Sequence, residues 1–186
     1  MATTSDVHIG SVIRFNGELC VVTEYQHRTP GNLRAFYQAK MKNVRTGKSA
    51  EYRFRSGEEV ELVRIEYKEL QFIYKEGEHY VCMDNESYEQ LHIPVDLFGE
   101  NGRFLKEEMI VKVAFEGDMP IIAEAPTFVE LEVTYTEPGE RGNTATNTLK
   151  AATLETGAVV QVPLFVNIGE VIKIDTRNSG YCGKIK

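Results

Sequence analysis

SVIRFNGELCVVTEY, residues 11–25, sets two runs rich in β-branched and aromatic side chains on either side of Asn16-Gly17. Both residues of that dipeptide accept positive φ, so a two-residue hairpin is predicted between the runs. The same grammar continues along the chain. AFYQAKMKNV, 35–44, follows Pro30-Gly31 and precedes Thr46-Gly47, and in EYRFR, 51–55, aromatics fall on alternate residues, the period of a half-buried strand. LQFIY, 70–74, and HYVCM, 79–83, predict another hairpin, and IVKVAF, 110–115, and PIIA, 120–123, resume the strands. Asp84, a capping residue, predicts one helical turn over 84–91. FVELEVTY, 128–135, alternates apolar residues with acids, and EVIKIDT, 170–176, resumes the strand pattern. An amphipathic helix of ordinary length is nowhere indicated. The reading is all-β: three units, 1–64, 65–127 and 128–186, each expected to be a small barrel, because closure removes exposed sheet edges.

Hydrophobic residues make up 42% of the 186 and charged residues 26%, a globular profile rather than a disordered one. No run reaches the ~18 apolar residues of a bilayer span. The start, MATTSDVHIG, has neither a basic patch nor a signal-length apolar run, so a cytoplasmic location without membrane attachment is expected. Cys20, Cys82 and Cys182 are odd in number and far apart, unlike a disulfide framework or a zinc site, and are expected to be buried thiols. The net charge of −7 is unevenly spread. Residues 1–64 carry ten Lys/Arg against seven Asp/Glu, residues 65–127 five against fourteen, and residues 128–186 six against seven. From Arg28 to Arg55 there are eight basic residues and one acid, Glu51, a local field that can steer towards phosphate.

Motifs for catalysis are thin. Thr46-Gly-Lys-Ser49 imitates the end of a phosphate-binding loop, but Lys42 stands where the first glycine is needed, so a hairpin turn is expected. Gly139-Glu-Arg-Gly142 is too sparse for a dinucleotide loop, and His8, His27, His79 and His92 are scattered. Glu58, Glu59, Glu61, Glu107 and Glu108 read as solvated faces, though a carboxylate-based enzyme is the alternative they leave open. The expectation is a non-enzyme with no cofactor and no metal.

KAATLETGAVVQVPLFVNIG, residues 150–169, places Lys150, Ala152, Gly157, Val160, Val162, Pro163, Val166 and Gly169 at the intervals of a third-domain signature. On this stretch, with VELEV from 129, Pro138-Gly139 and IKIDT from 172, the chain resembles bacterial translation elongation factor P over its whole length. The resemblance implies a KOW/SH3-like N-terminal barrel followed by two OB-fold barrels in an elongated arrangement. It implies a monomer that binds the 70S ribosome beside the peptidyl-tRNA and relieves stalling at consecutive prolines. The alternatives are an elongation-factor-P-like paralogue, whose third domain departs from VPLFV, and a generic OB-fold RNA-binding protein, which would carry basic grooves on its OB units.

HRTPGNLRAF, residues 27–36, is then the hairpin directed at the tRNA CCA end. Pro30, Gly31, Asn32, Leu33 and Arg34 form its tip, and Arg28, Lys40 and Lys42 are the expected contacts to tRNA or rRNA phosphates, with Arg45 and Lys48 behind. The family's modified Lys or Arg follows the Pro-Gly. Here Asn32 stands there, so no modification is expected. Gly142, Asn143 and Thr144 occupy the place of a Gly-Asp-Thr loop near the exit-site mRNA on the small subunit. Tyr181 and Lys184 match a Tyr and an Arg implicated in ribosome or tRNA contact.

Overall fold

The computed structural model describes residues 2–139 and 149–185. Among them regular structure is almost wholly β, interrupted by two 3-10 segments, Thr4–Asp6 and Val95–Phe104. The chain divides into two compact units, residues 1–67 with 114–122, and residues 68–113 with 123–186.

The first seven strands are β1 Ala2–Thr3, β2 Val12–Phe15, β3 Glu18–Arg28, β4 Phe36–Asn43, β5 Ser49–Arg55, β6 Glu59–Val60 and β7 Leu62–Val63. They form a sheet of order β5-β4-β3-β2-β7 and a small β1-β6 ladder. Its core gathers Ile13, Val22, Ala39, Met41 and Phe54 with Val7, Cys20 and Val60. Asn16 (φ 51°) and Gly17 (φ 81°) make the two-residue turn that the sequence predicts, pairing Phe15 with Glu18. At Thr46-Gly47 the chain makes a turn, not a phosphate loop: the Asn43 side-chain oxygen accepts from Arg45 and Thr46 N–H, each at 2.8 Å.

A β-bulge decides which residues share a face. Val22 pairs with Met41 and Glu24 with Lys40, which leaves Thr23 as the extra residue. Its hydroxyl donates to the Lys40 carbonyl at 3.0 Å. Before the bulge, Cys20 and Val22 point to the core; after it, Tyr25 and His27 take that side, and Glu24, Gln26 and Arg28 turn outward.

The next sheet contains β8 Glu66–Glu76, β9 His79–Asp84, β10 Gln90–Pro94, β11 Ile110–Glu116 and β12 Met119–Glu124, in the order β10-β9-β8-β11-β12. The predicted helical turn at 84–91 is present as a single turn over 84–88: Tyr88 N–H donates to the Asp84 carbonyl at 2.8 Å, Asp84 Oδ1 accepts from Glu86 and Ser87 N–H, and Tyr88 at φ 58° ends it. Asp84 caps as expected, but β10 follows too soon for a helix. The 3-10 segment at 95–104 was not foreseen. It breaks at Gly99, and its Gly102 lies against Tyr80, whose hydroxyl donates to the Gly102 carbonyl at 3.1 Å. A Cβ at 102 would meet that hydroxyl at 2.9 Å, so glycine is required there by close approach.

Residues 128–185 hold a closed barrel of β13 Phe128–Thr136, β14 Leu149–Leu154, β15 Val159–Pro163, β16 Val171–Asp175 and β17 Gly180–Lys184, ordered β13-β14-β15-β17-β16. The signature of 150–169 has plain structural causes. Ala152, Val160, Val162 and Val166 are core residues, Gly157 and Gly169 adopt positive φ, and the Lys150 ammonium donates to the Glu137 carbonyl at 2.7 Å. Phe104, fully buried, joins this core. Of the thiols, Cys20 and Cys82 are buried but Cys182 is exposed: Lys173 pairs with Gly183 and Ile174 with Tyr181, which leaves Cys182 as the extra residue of a β-bulge. Burial pushes the Cys82 thiol up to about 12, which leaves it unreactive.

Candidate nucleic-acid interface

The β3–β4 ladder runs unbroken from Glu24–Lys40 to Arg28–Phe36, so residues 29–35 are carried on a paired stem. On its inner side Tyr25 stacks on Tyr37, with centroids 5.0 Å apart, and His27 lies 4.5 Å from the same ring. The Tyr25 hydroxyl donates to the Thr4 carbonyl at 2.7 Å, which ties the stem to the body of its unit, and burial raises that phenol to about 12. This aromatic ladder stiffens the outer half of the hairpin.

At the tip, Leu33 N–H donates to the Pro30 carbonyl at 3.2 Å, closing a four-residue turn with Gly31 and Asn32 at its centre. Gly31 does not use the left-handed region, and its missing Cβ faces open space. Asn32, Leu33 and Arg34 are exposed, Leu33 at 76%. An apolar side chain held that far out contributes nothing to the core.

The expected phosphate contacts are differently placed. Arg28 is exposed, its guanidinium donating to Gln26 Oε1 at 3.0 Å. Lys40 pairs with Glu24 at 3.1 Å and lies opposite Glu51 on its other side. Lys42 is exposed further from the tip, opposite Ser49. The sequence reading passed over Arg53 and Arg55, which share the outward face with Arg28. The alternation of EYRFR, aromatics in and arginines out, was the available signal.

In the barrel of residues 128–185, Tyr181 is half-buried with its ring 6.4 Å from Phe165. The Lys184 ammonium lies 2.5 Å from Glu170 Oε1. That hydrogen bond, with another from Asn167 N–H, holds the Glu170 carboxyl below its ordinary 4.5. A depressed folded-state pKa stabilises the fold above the unfolded value and is lost as pH falls through the folded one. Glu170→Gln should therefore melt earlier than wild type at neutral pH, with the gap closing below about pH 4.5, as thermal melts across an acid series would read. Gly142, Asn143 and Thr144 lie outside the described residues.

Among the described residues no group of three His, Cys, Asp or Glu side chains is placed to hold a metal, and no helix is long and apolar enough to cross a membrane. A cleft of about 850 Å3 in the second unit mixes Lys75 and Arg103 with Asp96 and Glu100 and has no single electrostatic character.

Three domain families match in succession: the elongation factor P KOW-like domain over residues 3–60, the elongation factor P OB domain over 65–123, and the elongation factor P C-terminal domain over 129–184. The chain belongs to the elongation factor P family. It is 52% identical to elongation factor P of Chloroherpeton thalassium and 48% identical to that of Roseiflexus castenholzii, in each case over the full length of both chains. Among solved structures it resembles a translation initiation factor eif-5a family protein from Naegleria fowleri, with a TM-score of 0.54 at 16% identity. That match covers 67% of this chain and 94% of the other, and it speaks to the fold alone. Elongation factor P membership makes this a translation factor of KOW-like and OB-type β domains.

Proposed function

We propose that this elongation factor P family member binds the 70S ribosome beside the peptidyl-tRNA and speeds peptide bond formation at consecutive prolines by restraining the tRNA CCA end. In this reading the chain acts as three domains, 1–64, 65–127 and 128–186. The observation that carries it is the stem: a ladder paired out to Arg28–Phe36, backed by stacked aromatics, with Pro30 to Arg34 held beyond it in solvent.

The physical task is positioning. Proline is a rigid, poor participant in peptide transfer, and a loosely held tRNA end spends much of its time away from the reactive geometry. A stiff tip recovers part of that orientational cost, and each ~1.4 kcal/mol changes the rate tenfold. The protein supplies no reacting group, and the ribosome remains the catalyst. Asn32 has neither the amine nor the guanidinium that the family's modifications use, so the tip works unmodified, with Leu33 packing and Asn32 hydrogen bonding near the tRNA end. Tyr181 and Lys184 offer a further ribosome or tRNA contact, and residues 142–144 a messenger contact near the exit site.

The experiment is a reconstituted translation assay on a Pro-Pro-Pro reporter, using protein whose intact mass equals that of its sequence. Faster passage through the prolines is the expected result. No acceleration by the unmodified protein, or density for the ribosome-bound factor with residues 30–34 turned away from the CCA end, overturns the proposal.

A further inference from the structure

The outward face of β3, β4 and β5 sorts its charges by distance from the tip. The row nearest the tip is Arg28, Phe36 and Arg55; the next is Gln26, Gln38 and Arg53; the third is Glu24, Lys40 and Glu51. Cationic charge is concentrated in the first two rows, and the third is net acidic because one lysine faces two glutamates. Among the described residues no carboxylate lies within ion-pair distance of Arg28, Arg53 or Arg55. Glu58, three residues after Arg55, spends its Oε2 on the Arg55 backbone N–H at 2.7 Å.

Arg53 is also held in a particular way. Its guanidinium carbon lies 5.3 Å from the centroid of the Phe36 ring, which backs the cation from below and leaves its other side to solvent. A guanidinium supported on an aromatic ring is a stacking surface for a nucleobase, a role a lysine cannot fill. Gln26 and Gln38 beside it bring amide donors and acceptors, and the hollow of about 100 Å3 that they line with Arg28 is closed on its far side by Lys40, Glu24 and Glu51 of the third row.

We propose that this face binds single-stranded RNA, with Arg28 and Arg55 taking phosphates and Arg53 stacking beneath a base. Lys40, held by Glu24 and facing Glu51, takes no phosphate. The acidic third row then ends the track, so the strand is engaged beside the tip and not along the whole sheet. The inference deepens the tRNA reading and rests on it for the identity of the strand, while the surface itself is testable on the isolated protein.

A short fluorescein-labelled single-stranded RNA ending in CCA, titrated by anisotropy over a KCl series, tests it. Arg28→Ala with Arg55→Ala should weaken binding about tenfold and lower the slope of log K against log salt by about 1.4, two phosphate contacts at about 0.7 each. Arg53→Lys should keep the wild-type slope yet lose about fivefold or more in affinity, because the charge stays and the stacking plane goes. Lys40→Ala should change affinity less than about twofold, as expected for a cation already in an exposed ion pair. These residues are exposed, so unchanged thermal melts will confirm that each variant is folded. Wild-type affinity in the double variant, an equal loss in Lys40→Ala, or equally tight binding of polyglutamate at the same face overturns the proposal. If the double variant loses RNA but the wild-type protein fails on the Pro-Pro-Pro reporter, only the translational reading falls; if the reporter responds and the double variant keeps its RNA affinity, only this site falls.

Discussion

Leu33→Asp should remove most of the rescue on a Pro-Pro-Pro reporter, about tenfold in the rate gain, without moving the melting temperature. The two halves of that expectation come from separate facts. Leu33 is 76% exposed, so its replacement opens no cavity and strands no buried partner. The turn is closed by backbone, Leu33 N–H to the Pro30 carbonyl, and aspartate is at home in such turns. Stability should therefore hold within the ±0.5 kcal/mol or so of an ordinary surface change. Function should not hold. An apolar side chain at the end of a stiffened stem gains free energy only when something covers it, and a carboxylate there meets the phosphates of the tRNA end with like charge. A tenfold loss corresponds to about 1.4 kcal/mol of lost positioning. Rescue at wild-type rate by Leu33→Asp would mean that the tip is a spectator. A loss accompanied by a lower melting temperature would mean that the tip turn matters to the fold.

Phe104→Ala should cost about 3–5 kcal/mol in urea unfolding, the range for emptying a buried aromatic site. Phe104 is fully buried, yet it belongs to the 3-10 segment after β10 and fills the core of Leu131, Val133, Val162, Val166, Ile172 and Ile174. Its removal leaves a hole where two sequence segments meet, and neither can close it alone. The loss should consequently appear in the transition of the whole second unit, residues 68–113 with 123–186, as one cooperative step of lower midpoint. A loss under about 1 kcal/mol would show that the ring is replaceable. A separate early transition confined to residues 68–113 would show that the segment is not held by the barrel.

The elements that could be read from sequence were those specified locally. Asn16-Gly17 dictates a particular turn by its own φ preferences, and the alternation of FVELEVTY shows its buried side residue by residue. What could not be read was settled by neighbours distant in the chain. The extra residue at Thr23 is visible only in the pairing of β3 with β4, and it determines that Arg28 shares a face with Arg53 and Arg55. Lys40 looks like one more cation in a basic stretch until Glu24, sixteen residues earlier, is found beside it. The 3-10 turns over 95–104 carry no helical apolar period; they form because Phe98 and Phe104 are buried and Gly102 fits against Tyr80. Cys182 is expected inside with the other two thiols, and a bulge in the pairing of β16 with β17 puts it outside.

The doubled-up position at Thr23 also limits how the prong can drift over evolutionary time. Adding or removing residues in pairs on both arms beyond it lengthens or shortens the reach and keeps the same faces presented. Pairing Thr23 regularly would instead roll the distal part of β3 through half a turn, sending Tyr25 and His27 outward and Arg28 to the core side, whereas deleting Thr23 would leave every face as it is. A single residue inserted into one arm beyond the bulge would have the same effect, so the reach changes without changing the faces only in steps of two.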